Sequence, residues 1–573
     1  MRINSDGRVV KGICVMLLFL IALSVFLYTV SIRKPWFGVV APGHHQWLSG
    51  STLKFSKNWY ADGPLKLRFG MVENPDSVEF PDLSSREPYP SYPSGVILPI
   101  YALSKLRGHT PTPSLLMKYN LLNHLFIAFF LGLTIFIFLL RIGYGHFYST
   151  LLAMLPICVE LLLPAPLYWH QNVFFADQAV ILPFVLCVFL ELLRGEFRNR
   201  HTARHFLNFL QVTVMAYGFF TDWLFVFVGL VVYLKRLFCG ELSKGFFPMV
   251  RASILFWMPP VLVMALFTLQ LRLLGILNMI VGRFLWRTGM SGADDGTDRF
   301  FNQFWDGHIR AGYGKFGEVL LWLSLAVFIL LLMYAIFQRF RNRADDMKMR
   351  QALSLTGMYL LPCFMQIYFL KNHSFLHDFS ALKFSIVLAT VPFVLIPVLL
   401  SRLFRADLTD VSLEGLALTC KGRKKAFRVP VIVCGILLAA GLYLNHVHPK
   451  YKKFFPEPCK FFEDVGQFMR ANTAYRDVVF SPDFEIPVNP PQLLSYTMKR
   501  VYKAASVKEI ADKVSGIKKD FTVAVFLPAP DAAEKFSDIQ TLISIADETV
   551  HQNNFYLYKI EGKKFLTRFM AAR

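Results

Sequence analysis

The chain has 573 residues, of which 54% are hydrophobic and only 17% charged, against about 25% charged in an average soluble protein. With 57 Phe it is neither an ordinary soluble domain nor a disordered chain. Its 61 Lys and Arg against 39 Asp and Glu leave a net charge of +22, which fits nucleic acid, an anionic lipid surface or the positive-inside bias of a membrane protein.

A helix crosses the hydrocarbon core with about 20 apolar residues, and on that rule the sequence predicts about eleven spans. They lie near 13–30, 115–140, 149–167, 174–193, 206–219, 222–234, 252–277, 317–338, 352–370, 379–400 and 429–446. Met1–Gly12 and the run after it resemble a signal peptide. The run ends in Ser-Ile-Arg-Lys-Pro-Trp without a small-residue cleavage site, so it reads as an uncleaved first span. The fifth and sixth spans are short and hinge at Gly218 to Trp223.

Loop charges set the orientation. With the N-terminus inside, the inner segments carry Arg2, Arg8 and Lys11, then Arg141, then the run from Arg194 to Arg204, and so on to Arg428. The short outer loops 168–173, 219–222 and 371–378 carry a single Lys371. This alternation explains most of the basic charge without nucleic acid. Of the 8 Cys only Cys459 lies beyond the last apolar run, and there is no CxxC, so neither a zinc cluster nor a disulfide framework is supported.

Three outer segments are long: Ser31–Ser114, Asn278–Gly317 and the tail from His446. Residues 1–445 read as a membrane module and 446–573 as a soluble α/β domain. In the tail, Phe461–Asn472 has helical spacing, Asp477–Ser481 reads as a strand and Gln492–Lys503 as a helix. Ala505–Lys513 reads as an amphipathic helix, Phe521–Leu527 as an apolar strand and Phe555–Ile560 as an edge strand.

Acids and imidazoles are costly near hydrocarbon, so those at span ends take a functional reading first. On the outer side these are His44, His45, Asp62, Glu87, His170, Asp177, Asp222, Asp294, Asp295, His373, His377 and Asp378, with Tyr89 and Tyr92 beside them in the first loop. Asp177 and Asp222 stand at helix starts and suit N-caps as well. His373 and His377, four apart, share a helical face and suit a metal, with no third ligand near in sequence. Asp294-Asp295 suits a solvated loop. The second long loop exports positive charge against the bias: Arg283, Arg287, Arg299, Arg310 and Lys315, with Arg272 just before it. An anionic ligand outside is one reason, because guanidinium pairs bidentately with phosphate.

This arrangement, with His44-His-Gln-Trp-Leu-Ser-Gly50, Asn58-Trp-Tyr-Ala-Asp-Gly63 and Arg86-Glu-Pro-Tyr-Pro-Ser-Tyr-Pro-Ser-Gly95, resembles the GT-C glycosyltransferase superfamily. The likeness is to the bacterial branch that includes protein O-mannosyltransferases and the lipid A aminoarabinose transferase. Asn172–Gln178 and Asn372–Asp378 resemble further outer segments of that branch, and Val96–Leu106 its interfacial helix.

The resemblance implies a helical polytopic inner-membrane protein with a cytoplasmic N-terminus and an extracytoplasmic α/β domain. It implies transfer of a sugar from a polyprenyl-phosphate donor to a hydroxyl on a glycan, lipid or protein, with inversion. No cofactor is required, and a divalent cation is compatible. Many members carry an acid early in the first loop as catalytic base, where this chain has His44-His45. The base is then one of these histidines, or Asp62 or Glu87. Arg272, Arg283, Arg287, Arg310, His373 and His377 are candidates for the donor phosphate or sugar. Tyr89, Tyr92, His170, Asp177, Asp222 and Asp378 are candidates for the substrate. A transporter or flippase of a lipid-linked sugar, or a scaffold of the same layout without catalysis, are the alternative classes.

Overall fold

The computed structural model describes residues 5–38, 40, 44–197, 200–238, 242, 245–291, 303–340, 347–403, 460–486 and 491–570. The eleventh expected span (429–446), the 445/446 boundary, Asp294, Asp295 and Arg299 lie outside the described residues.

The chain is a multi-pass helical membrane protein. Its first helices are α1 (Ser5–Arg33), α2 (His44–Asp62), α3 (Leu98–Arg107) and α4 (Pro113–Arg141). Then come α5 (His146–Leu162), α6 (Pro164–Asn172), α7 (Ala176–Ala179), α8 (Ile181–Glu196), α9 (His201–Phe219) and α10 (Leu224–Phe238). The rest of the bundle is α11 (Phe246–Leu273), α12 (Leu277–Thr288), α13 (Arg310–Phe340), α14 (Met347–Phe369), α15 (Lys371–Leu376) and α16 (Phe384–Leu403).

Among the described residues seven helices are long and apolar enough to cross a membrane, and eight if the broken pair α5–α6 is one span. That pair, expected as an unbroken span at 149–167, is bent by 58°. Pro164 opens α6 and supplies no amide for the helix before it. α9 and α10, the expected fifth and sixth spans, are not among the seven. α1, α11 and α13 bury only 17% of their most apolar window, against 72–89% for the other four, so these three face lipid along most of their length.

The first long loop contains two helices, joined by an irregular stretch over 63–93. These are α2 and α3, with α3 where an interfacial helix was expected. α2 bonds to two distant parts of the chain. On one side Gln46 Nε2 donates to Tyr168 Oη (3.0 Å), Ser49 Oγ to the Asn172 carbonyl (2.7 Å) and Thr52 Oγ1 to that of Phe174 (2.5 Å). On the other, Gly50 lies against the Gln492 backbone, where an added Cβ would sit 3.1 Å from Cα, and Lys57 Nζ donates to the Ser495 carbonyl. The second long loop likewise contains α12 and the start of α13.

The C-terminal domain has α17 (Lys460–Asn472), β1 (Asp477–Ser481), α18 (Gln492–Thr497), β2 (Val501–Lys503), α19 (Val507–Val514), β3 (Thr522–Leu527), α20 (Ile539–Ser544), β4 (Glu548–Gln552), β5 (Phe555–Glu561) and α21 (Gly562–Met570). The sheet order is β2-β1-β3-β5-β4; β1 runs parallel to β2 and β3, and β5 antiparallel to β3 and β4.

Two expectations are corrected. Gln492–Lys503 is a short helix and then a strand, because Met498 turns to the left-handed region (φ 51°) and ends α18. β5 is interior; β4 covers it, and β4's mostly exposed Glu-Thr-Val-His-Gln carries no apolar signal for a strand.

Candidate functional site

Four segments distant in sequence meet at the end of the bundle that holds the first loop. From α6 the chain runs extended through Val173–Phe175 into α7, which carries Asp177. The turn is set by Gln178, whose Oε1 accepts from the Phe175 amide (3.0 Å). The turn between α9 and α10 carries Asp222. The α14–α15 corner brings His373 and, five residues beyond Asp378, Lys383. The last turn of α12 brings Arg287. All five side chains are buried.

Asp177 is the centre. Its Oδ2 lies 3.7 Å from His373 Nε2 and its Oδ1 3.6 Å from Lys383 Nζ, ion-pair distances just beyond direct hydrogen bonding. Asp222 Oδ1 accepts from the Leu224 amide (2.7 Å) and from Gln366 Nε2 (3.0 Å). The capping role expected at a helix start is therefore met by one oxygen. The other, Oδ2, is buried without a hydrogen-bond partner. Burial, with the negative charge of Asp177 added, pushes the Asp222 carboxyl up to about 6. Burial also holds His373 below the ordinary histidine range, against the pull of Asp177.

The Arg287 guanidinium lies 4.2 Å from the centre of the Tyr92 ring and its Nη1 reaches the Ser91 carbonyl (3.5 Å). Tyr89 and Tyr92 stand edge-on to Phe175 at 6.0 and 5.8 Å, so the first loop forms an aromatic wall beside Asp177. The site thus holds two carboxylates, a guanidinium, a lysine amine and an imidazole, screened from bulk water. Such a set can accept a proton at Asp222 and hold an anion between Lys383 and Arg287.

Of the residues expected from sequence, the structure brings together Tyr89, Tyr92, Asp177, Asp222, Arg287 and His373. His377 is adjacent, its ring 4.7 Å from that of His373, and Asp378 follows it. Others lie apart. Asp62 is taken by Arg86 (2.8 Å) and Lys66 (3.0 Å). Glu87, at φ 53°, pairs with Arg500 of the C-terminal domain (3.4 Å) and is half exposed. Arg310 pairs with Asp306 (2.9 Å) and Glu318 (2.7 Å), while Arg272 and Arg283 are exposed. His170 is fully buried, stacked on His124 at 4.6 Å. His44 and His45 open the first turn of α2, and their side chains lie outside the described part. Among the described residues no group of three or more His, Cys, Asp or Glu is placed to hold a metal ion.

Sequence reasoning passed over Lys383, Gln366 and the buried Glu160 and His124. A signal existed for three of them: Lys383, Glu160 and His124 are ionisable residues inside runs expected to be apolar spans.

No protein-family model matches the chain, and no curated protein matches it in sequence. Among solved structures it is similar to the oligosaccharyltransferase of Archaeoglobus fulgidus in the apo form (TM-score 0.48, 10% identity, 90% of this chain and 69% of that one). It is also similar to ArnT from Cupriavidus metallidurans bound to undecaprenyl phosphate (TM-score 0.48, 13% identity, 95% and 97%). A third is the archaeal oligosaccharyltransferase AglB from A. fulgidus in complex with an inhibitory peptide and a dolichol-phosphate (TM-score 0.46, 10% identity, 96% and 77%). These are likenesses of layout and assign no residue a role.

Proposed function

We propose that the protein is an integral-membrane glycosyltransferase that moves a sugar from a polyprenyl phosphate to an acceptor hydroxyl at the outer surface. The observation that carries this reading is the buried group of Asp177, Asp222, Lys383, His373 and Arg287 at one end of an apolar bundle. Its chemistry suits both halves of such a transfer. A hydroxyl attacking the anomeric carbon must lose a proton, and Asp222, with a raised affinity for protons and a bare Oδ2, takes it. The phosphate that leaves needs cations already in place, and Lys383 and Arg287 supply them. Asp177 orients His373 and Lys383 and balances their charge. Attack opposite the leaving phosphate inverts the anomeric centre.

α11 and α13 leave most of their apolar length exposed, which suits a polyprenyl tail held in the bilayer while its phosphate reaches Arg287. The transporter alternative needs ionisable groups along a path through the bilayer. The buried Glu160, His124 and His170 form one cluster, with both Nε2 atoms 3.9 Å from Glu160 Oε1, rather than a file of groups.

The reading is tested in cells lacking and re-expressing the gene, with mass spectrometry of lipid-linked sugars and envelope glycans. The wild-type gene is expected to deplete a polyprenyl-phosphate sugar and add that sugar to an acceptor. Asp222→Asn and Asp177→Asn, inserted at normal levels, are expected to do neither. Normal transfer by both variants overturns the reading.

A further inference from the structure

We propose that Asn120 is a positioning residue for Asp177, its amide clamping the end of α6 and the extended residues that deliver Asp177 to the site. The inference rests on the transfer reading above.

α6 has nine residues and a sharp bend at its start, so its own helical bonds hold it weakly. Its last turn is closed by one backbone bond, the Val173 amide to the Trp169 carbonyl (3.2 Å), and the chain beyond is irregular. Asn120, from α4 and fully buried, spends both amide hydrogens there. Its Nδ2 donates to the Trp169 carbonyl in the last turn (3.0 Å) and to the Val173 carbonyl beyond it (2.9 Å). Its Oδ1 faces His170 Nδ1 at 3.4 Å, so the amide is engaged at every face. His170 is fixed in turn: it stacks on His124, and the Nε2 atoms of both rings lie 3.9 Å from Glu160 Oε1.

Ser49 and Thr52 of α2 hold Asn172 and Phe174 from the opposite side. The extended segment before α7 is therefore gripped between the first loop and α4, and Asn120 is the α4-side jaw. Val173 is four residues before Asp177. A carbonyl released there lets Asp177 move against Lys383 and His373, and a misplacement of about 1 Å at a reacting group costs on the order of 10²-fold in rate.

The test compares full-length wild type, Asn120→Ala and Thr134→Val in native membranes. Thr134 is equally buried on α4 but bonds only within its own helix, to the Phe130 carbonyl (2.7 Å), apart from a 3.5 Å contact with Tyr359. Three quantities are read: release of polyprenyl phosphate from the membranes' own lipid-linked sugars, the pH dependence of that release, and amide hydrogen exchange. Asn120→Ala is expected to slow release on the order of 10²-fold, to shift the acid limb of the pH profile, and to speed exchange in residues 173–180 alone. Thr134→Val is expected to match wild type in all three.

An unchanged rate, unchanged exchange at 173–180, or faster exchange throughout the bundle overturns the proposal. If wild type itself releases no polyprenyl phosphate, the transfer reading fails, and the exchange comparison still decides the clamp.

Discussion

Gly95 and Phe220 meet backbone to backbone: the Gly95 amide donates to the Phe220 carbonyl at 2.8 Å, and a Cβ on Gly95 would lie 2.3 Å from that oxygen. The first loop is thereby pressed onto the turn that carries Asp222. Gly95→Ala cannot be absorbed by a side-chain rotation, because the atom in the way is backbone. Transfer is expected to fall about tenfold or more as the turn shifts. Gly282→Ala, on α12 with nothing within 4 Å of the added Cβ, is expected to retain transfer. Polyprenyl phosphate release in membranes carrying either variant checks both.

The raised Asp222 carboxyl is expected to set a pH limit. In the proposed role Asp222 accepts a proton only as the carboxylate, so transfer is expected above about pH 6 and is expected to be lost as pH falls through that value. Part of the rise comes from the charge of Asp177. Asp177→Asn removes that charge and is expected to move the acid limb of any residual activity downward. A pH–rate profile of wild type and variant measures it; an acid limb near the ordinary carboxylate range in wild type contradicts the role.

Arg287 both lies over Tyr92 and faces the two carboxylates. Arg287→Lys keeps the charge and loses the planar fork that pairs with phosphate. Transfer is expected to drop on the order of 10–10²-fold, following the loss of one preorganised donor. Arg310→Lys, altering a cation already occupied by Asp306 and Glu318, is expected to stay within twofold (roughly the scatter of an exposed pair). The same release measurement compares them.

At the opposite end of the bundle the buried Glu191 accepts from Arg236 (2.6 Å), Lys235 (3.0 Å), Arg194 (3.0 Å) and Gln211 (2.9 Å), tying α8, α9 and α10 together. Glu191→Gln keeps the shape and removes the charge these cations face. Breaking a buried ionic group in this way costs about 3–5 kcal/mol. The thermal midpoint of the purified protein is expected to fall, with transfer per folded molecule unchanged.

Much of the fold is legible along the chain because a span, a loop charge bias and an amphipathic helix are local properties. Thr112 and Pro113 start α4 as their chemistry requires, the Thr112 Oγ1 accepting from the Leu115 amide (3.2 Å). β1 lies where the run from Asp477 to Ser481 placed it. β4 was not legible, since its residues gain strand geometry only by pairing with β5.

The site divides in the same way. Sequence alone singled out acids and imidazoles at span ends, among them Asp177, Asp222 and His373, and Arg287 by the exported charge of the second long loop; the structure places these four in one buried group. It named Asp62 and Glu87, not Asp222, as candidates for the base, and Arg310 for the phosphate; ion-pair partners occupy all three. Which candidates share one buried space depends on contacts between segments far apart in the chain, and only packing creates the desolvation that makes Asp222 basic and leaves Lys383 facing Asp177. Local residue pattern therefore determined the membrane bundle and its candidate groups; tertiary burial decided which of those groups act on one another.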